Sequence, residues 1–225
     1  MGLYQVFFFA ALLKTGVAVG TMITIGSAPI IAGILGKVLF HEQIDRKWYL
    51  ATILAVTGCA LLALPSGEIG IEFTGVLLAL GAGFSWAIAG SSMKMLPDSR
   101  SSIEKAAMML LLGSVIISPV LLFRDLSWFF SQGGALVVSH LSLMATALPY
   151  VLFALGITMI KISTAYTLTL SEPLTASCLG IFLLGEDVTG PVLAGIMLIF
   201  TGLLILSIRG KKPVCFHHRR KRISN

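Results

Sequence analysis

Charged residues and cysteines are scarce in this sequence. Asp, Glu, Lys and Arg make up 12% of the 225 residues, whereas a soluble domain carries about 25%. Hydrophobic residues make up 56%, and the mean hydropathy is +0.96. The three cysteines, Cys59, Cys178 and Cys215, have neither a disulfide framework nor metal-ligand spacing. The composition excludes a soluble enzyme, a disordered regulator and a disulfide-stapled secreted domain.

Motifs for enzymatic chemistry are also missing. The sequence has no G-x-x-x-x-G-K-[ST] segment, and therefore no P-loop for ATP. It has no H-E-x-x-H zinc motif and no buried pair of aspartates. No set of Ser, His and Asp lies at one membrane depth. We therefore predict that the chain is not an enzyme and holds no cofactor or metal ion.

Long apolar runs place the chain in a bilayer. Crossing the hydrocarbon takes about 20 apolar residues, and seven runs approach or exceed this length: 17–40, 48–64, 73–93, 106–123, 135–157, 162–184 and 191–208. An eighth run, 3–13, covers about half of the thickness, and we interpret it as the second half of a helix. The short linkers predict an all-α helical bundle.

Basic residues cluster on one side of the predicted spans. If the C-terminal tail is cytoplasmic, 14 of the 16 Lys and Arg residues lie on the cytoplasmic side, and only Lys14 and Arg124 lie outside. This distribution follows the positive-inside rule. Seven of the charges belong to the tail, 209–225, which we expect to contact anionic lipid headgroups rather than nucleic acid.

The sequence contains an internal repeat. At an offset of 144, residues 9–62 match residues 153–206 without a gap, and 13 of the 54 positions are identical. The identities include Pro29 with Pro173 and Glu42 with Glu186. The matched spans lie five crossings apart, and because five is odd the two copies have opposite orientations. Inverted repeats are typical of secondary transporters, which bind substrate near the membrane midplane.

A short pattern occurs once in each copy: Ser27-Ala28-Pro29, Gly36 and Glu42, then Ser171-Glu172-Pro173, Gly180 and Glu186. It resembles the repeat of the EamA family in the drug/metabolite transporter superfamily. The resemblance implies two inverted repeats in one helical bundle, a partial first copy at 1–64 and a complete second copy at 73–208. It also implies a multi-pass inner (plasma) membrane carrier of amino acids, other small metabolites or drugs. We expect Pro29, Gly36, Glu42, Pro173, Gly180 and Glu186 to be structural.

Glu172 is the one acidic residue well inside a predicted span. An acid at that depth is costly unless it is neutralised, paired or exposed to a watery cavity. It precedes Pro173, whose missing N–H leaves a carbonyl unpaired one turn earlier. We interpret Glu172 as a site for a substrate amine or a proton. The alternative is a structural acid that hydrogen-bonds a neighbouring helix.

Polar and aromatic residues inside the spans form a candidate substrate lining. They lie on helices that the family places around its central cavity: Ser85, Trp86, Tyr150, Tyr166 and Thr169, together with Glu172. The rings of Trp86 and Tyr150 suit an ammonium or aromatic substrate. The alternative is packing and hydrogen bonding between helices. A GxxxG segment at 16–20 is compatible with close helix packing or a homodimer.

Two functions remain open at this point. The first is a gradient-driven transporter of a small metabolite, which works by alternating access between the inverted copies. The second is a non-transporting membrane scaffold or an inactive truncated carrier. Met1 aligns with Ala145, so about 72 residues of the first copy have no counterpart here. An in-frame upstream stretch encoding two more spans would favour the transporter.

Overall fold

The computed structural model describes residues 1–63, 72–97, 99–121, 127–185 and 188–208. Within these residues the chain forms helices and no strands, which confirms the predicted all-α class. The α-helices are α1 (Gly2–Thr15), α2 (Val17–Leu39), α3 (Arg46–Ala63), α4 (Phe73–Met95), α5 (Ser102–Leu121), α6 (Gln132–Ser142), α7 (Leu148–Met159), α8 (Ile162–Leu168), α9 (Ser171–Leu179) and α10 (Gly190–Ser207). Glu186 and the basic tail, 209–225, lie outside the described residues.

Five helical stretches are long and apolar enough to cross a membrane: Val17–Leu39, Phe73–Met95, Ser102–Val120, Gly133–Met159 and Gly190–Ser207. Residues 48–63 of the predicted span 48–64 lie within α3, and Leu64 lies outside the described residues. The predicted span 162–184 is not one helix but is divided into α8, α9 and a π-helical turn, Gly180–Leu184. The short apolar run at the beginning forms α1, which is about 21 Å long.

Two prolines in equivalent sequence positions have different effects. Pro29 lies inside α2, which continues through it. Pro173 lies near the beginning of α9 and has no N–H to donate to Thr169 four residues earlier. The Thr169 carbonyl instead accepts from the Glu172 N–H at 2.9 Å. The chain therefore leaves the helix between α8 and α9, directly ahead of Glu172.

Small residues allow the helices to pack closely, as is typical of membrane helices. α2 contacts α1, α3, α4 and α8. A Cβ atom on Gly83 of α4 would lie 2.8 Å from the Thr24 carbonyl oxygen of α2. A Cβ atom on Gly58 of α3 would lie 2.7 Å from the Gly195 carbonyl oxygen of α10, and a Cβ atom on Gly195 would lie 2.8 Å from the Gly58 carbonyl oxygen. The pairs α2–α4 and α3–α10 therefore meet backbone to backbone.

α2 and α4 run side by side in the same direction, each with 23 residues and about 35 Å long. Near their first residues, Lys14 Nζ donates to Glu72 Oε1 at 2.7 Å. Near their last residues, Lys94 Nζ donates to Glu42 Oε1 at 3.0 Å. We refer to these opposite ends of the bundle as the Lys14 end and the Glu42 end.

Candidate functional site

Five aromatic side chains from four helices meet in the middle of the bundle. This aromatic cluster consists of Tyr4, Phe8, Trp86, Phe153 and Tyr166. The Trp86 and Tyr166 ring centroids lie 5.0 Å apart, and those of Tyr4 and Trp86 lie 6.1 Å apart. Tyr4 is ten residues from Lys14, and therefore about 15 Å from the Lys14 end. The cluster lies at the depth expected for a transporter's binding site.

Tyr166 is fully buried and joins α8 to α4. Its hydroxyl donates to the Trp86 carbonyl at 2.5 Å, and Gly90 leaves room for it because a Cβ atom there would overlap the phenol. Phe153 packs edge-on against the same ring. For Tyr166 the structure therefore shows the packing and hydrogen bonding that the sequence left open as an alternative.

Replacing Tyr166 by Phe is expected to destabilise the protein by about 1 kcal/mol, because the hydrogen bond from its buried hydroxyl to the Trp86 carbonyl is lost. The thermal unfolding temperature in a mild detergent measures this effect. Tyr49→Phe is the matched control, since Tyr49 is 49% exposed and its hydroxyl makes no hydrogen bond among the described residues. Equal unfolding temperatures for the two variants would contradict the structural role of the Tyr166 hydroxyl.

Glu172 lies in the first turn of α9, ten residues beyond the beginning of α8 and therefore about 15 Å from the Glu42 end. Its side chain is exposed. It interacts electrostatically with the phenols of Tyr4 and Tyr150, and no basic side chain among the described residues pairs with it. An unpaired carboxylate is very costly against lipid. At this depth the carboxyl group must therefore be neutralised or face water.

The other predicted lining residues lie on α7, on α4 and between α8 and α9. Tyr150 of α7 lies near Glu172, and its hydroxyl donates to the Met1 Sδ at 3.5 Å. Ser85 is partly buried beside Trp86, and its hydroxyl makes no hydrogen bond among the described residues. The Thr169 hydroxyl donates to the Tyr166 carbonyl at 2.8 Å, within its own turn.

Tyr4 was not among the lining residues predicted from the sequence. Its ring packs near that of Trp86, and its phenol interacts electrostatically with Glu172. It lies in the short apolar run 3–13, which was interpreted only as part of an incomplete span. The available signal was a lone phenol among aliphatic and Phe residues in that run. Tyr4 adds α1 to the helices that surround the candidate site.

Two of the predicted structural residues of the first copy, Gly36 in the last turn of α2 and Glu42 just after this helix, lie at the Glu42 end. The N–H groups of Phe40 and Glu42 both donate to the Gly36 carbonyl, at 3.2 and 3.0 Å. His41 adopts a left-handed conformation with φ of 51°, which His tolerates better than most residues. A Cβ atom on Gly36 would lie 2.6 Å from Glu42 Oε2. Gly36 therefore leaves space for the returning carboxylate.

A separate groove of about 510 Å³ runs between α2 and α3. Its lining is mainly apolar and includes Ile30, Ile34, Val38, Ile53 and Val56, with Lys37 the one charged residue. It shares no residue with the aromatic cluster or with Glu172. The groove is therefore distinct from the predicted site.

Comparisons with known proteins agree with this architecture. A family model described as the EamA-like transporter family matches residues 73–208. A crystal structure of a protein with 16% sequence identity aligns with a TM-score of 0.79, over 91% of this chain and 73% of that one. This last likeness supports the fold alone.

Two relatives are named as transporters. The uncharacterized transporter YwfM of Bacillus subtilis (strain 168) is 41% identical over 216 residues, which cover 94% of this chain and 72% of that protein. The threonine/homoserine exporter RhtA of Salmonella typhimurium (strain SL1344) is 32% identical over 171 residues, which cover 70% of this chain and 53% of that protein. These relatives are transporters rather than enzymes, and the chain belongs to the EamA-like transporter family.

Proposed function

We propose that this protein is a secondary transporter that moves a small amino-containing metabolite across the membrane. The observation that carries the proposal is Glu172, an exposed carboxylate at mid-depth beside the phenols of Tyr4 and Tyr150. A carboxylate near aromatic rings binds an ammonium group through charge-assisted hydrogen bonds and cation–π attraction. The relative named as a threonine/homoserine exporter is consistent with a substrate of this class.

In this proposal the remaining predicted residues surround the substrate. Trp86 and Tyr150 contribute ring surface next to the ammonium group. The hydroxyls of Ser85 and Thr169 accept or donate hydrogen bonds to the polar groups of the substrate. Tyr166 holds α8 against α4 and positions Trp86, to which its hydroxyl is bonded.

The proposed mechanism is gradient-driven alternating access between the inverted copies, 1–64 and 73–208. The break in the helix ahead of Pro173 lies next to Glu172. It separates α8, which begins at the Glu42 end, from α9, which carries the carboxylate. Rocking of the two copies about the regions of Pro29 and Pro173 would open the site to one end at a time.

We propose that the Glu42 end is cytoplasmic and that the protein lies in the cell inner membrane. Lys94 and Lys161 both lie at this end, where they bond to the connection between α2 and α3. Basic residues at one end favour the cytoplasmic side. The same orientation brings the tail, 209–225, to the anionic headgroups of the cytoplasmic leaflet.

Counterflow in reconstituted vesicles tests this proposal. Vesicles loaded with an unlabelled compound are diluted into the labelled compound, and protein-dependent uptake is measured against protein-free vesicles. The panel contains amino acids, primary amines without a carboxylate, and carboxylates without an amine. We expect exchange of compounds that carry an amine and none of the amine-free acids. Equal exchange of amine-free acids would refute the substrate class, and no exchange at all would favour a non-transporting scaffold.

A further inference from the structure

The Glu42 carboxylate accepts hydrogen bonds from the first two residues of α8, which lie 120 and 121 positions later in the chain. Its Oε1 accepts from the Ile162 N–H at 2.6 Å. Its Oε2 accepts from the Ser163 N–H at 3.3 Å and from the Ser163 hydroxyl at 2.8 Å. No capping side chain from Lys161 serves α8. Glu42 therefore supplies acceptors that the first N–H groups of this helix lack.

Lys94, near the end of α4, ties this carboxylate to the connection between α7 and α8. Its Nζ donates to Glu42 Oε1 at 3.0 Å and to the Ile160 carbonyl at 2.8 Å. Two further bonds lie nearby: Lys161 Nζ donates to the Gln43 carbonyl between α2 and α3, and Trp48 Nε1 of α3 donates to the Ser163 carbonyl of α8. We refer to Glu42, Lys94, Ile162 and Ser163 as the Glu42 cluster.

The Glu42 cluster is buried, with 7% of the Glu42 side chain and 14% of the Lys94 side chain exposed. Burial by itself acts to raise the pKa of Glu42. The Ile162 N–H, the Ser163 hydroxyl and the Lys94 ammonium outweigh it and hold the pKa below its usual value. The carboxylate is therefore charged at neutral pH, and its bonds to α8 are charge-assisted.

The ion pair at the Lys14 end is exposed, unlike that of the Glu42 cluster. There the last turn of α1 meets the beginning of α4 through the ion pair of Lys14 and Glu72, whose side chains are 41% and 51% exposed. Exposed ion pairs contribute little to stability. Among the described residues the buried ionic contacts are those of the Glu42 cluster. Among the described residues, the ionic contact at the Glu42 end is therefore the more buried one.

We infer that the Glu42 cluster is the closure of the transport pathway at the Glu42 end, and that it must open in each transport cycle. This inference rests on the proposed transport function. The cluster joins both copies, because Glu42 belongs to 1–64 whereas Lys94 and α8 belong to 73–208. α8 lies between the Glu42 end and the helix break ahead of Glu172. Glu42 is a positioning residue, since it acts on the pathway through α8.

Side-specific thiol labelling tests this inference without measuring transport. Cys59, Cys178 and Cys215 are replaced, and Ser85→Cys reports access to the site from about 15 Å inside the Glu42 end. A membrane-impermeant thiol reagent is added to inside-out or right-side-out vesicles. With Glu42→Ala, we expect labelling from the Glu42 end to accelerate about tenfold, because the closed state loses several charge-assisted bonds. Labelling from the Lys14 end is expected to stay equal or fall.

Two further variants sharpen this test. Lys94→Met leaves the bonds between Glu42 and α8 in place and is expected to give a smaller increase. Glu104→Gln is the matched control, because Glu104 forms only an exposed pair with Arg100 at 3.8 Å. No acceleration with Glu42→Ala would overturn the inference. An equal acceleration from both ends would also overturn it, because it would indicate general unfolding.

The labelling result can be separated from the proposed function. If the Glu42 variants leave labelling unchanged while counterflow by the unsubstituted protein is intact, the closure is wrong and the transporter stands. If labelling shifts at the Glu42 end alone while the unsubstituted protein exchanges no compound, the Glu42 cluster closes that end of the bundle, but its role in transport is refuted together with the proposed function.

Discussion

Replacing Glu172 by Gln is expected to reduce counterflow of amino compounds about 100-fold, since removing one partner of a desolvated charge pair costs about 3 kcal/mol. The substitution keeps the size of the side chain and removes its charge. The ammonium of the substrate then enters the space beside Tyr4 and Tyr150 without a counter-charge. Initial rates over a range of substrate concentrations measure the loss.

The Glu172 variant is expected to fold normally. Glu172 is exposed and forms no ion pair with a basic residue among those described, so the unfolding temperature of Glu172→Gln should match that of the unsubstituted protein. Glu104→Gln is the control for loss of one negative charge, and it should transport normally. Wild-type rates in Glu172→Gln would remove this carboxylate from the binding site.

Replacing Gly202 by Val is expected to destabilise the bundle by about 3 kcal/mol through overpacking. A Cβ atom on Gly202 would lie 2.7 Å from the Ala51 carbonyl oxygen, and 3.2 Å from the Ala55 nitrogen. Both neighbours are backbone atoms of α3, so they cannot move away by a change of rotamer as a flexible side chain can. α3 and α10 would have to separate.

Gly190→Val in the same helix is the matched control. Nothing lies within 4 Å of a Cβ atom at Gly190, which is the first residue of α10 and is exposed. The fraction of monodisperse protein after detergent extraction and the unfolding temperature report the difference. If the two variants behave alike, α3 and α10 do not pack as closely as described.

Local features of the site could be predicted from the sequence. The missing N–H of Pro173 predicted an unpaired carbonyl one turn earlier; the helix breaks there, but the Thr169 carbonyl is paired with the Glu172 N–H. The same proline in the first copy, Pro29, does not break α2. Proline chemistry is identical at both positions, so the proline alone did not predict which helix would break.

Contacts between distant segments could not be predicted in the same way. The sequence placed Glu42 at the end of a span, where a carboxylate can accept N–H bonds, but it did not indicate Ile162 and Ser163 as the donors. Which linkers meet depends on the packing of whole helices. The same limit applies to Tyr166, since the rotation of α8 determines that its hydroxyl reaches the Trp86 carbonyl.

In the proposed function, a small amino compound binds at mid-depth between α1, α4, α7 and α9. The most direct measurement is protection of Ser85→Cys from a membrane-impermeant thiol reagent by each compound of the counterflow panel. We predict that the amine-bearing compounds that exchange slow this labelling about tenfold at saturating concentration. We also predict that Glu172→Gln abolishes the protection. Labelling that no compound slows, although the compounds exchange, would contradict a binding site at this position.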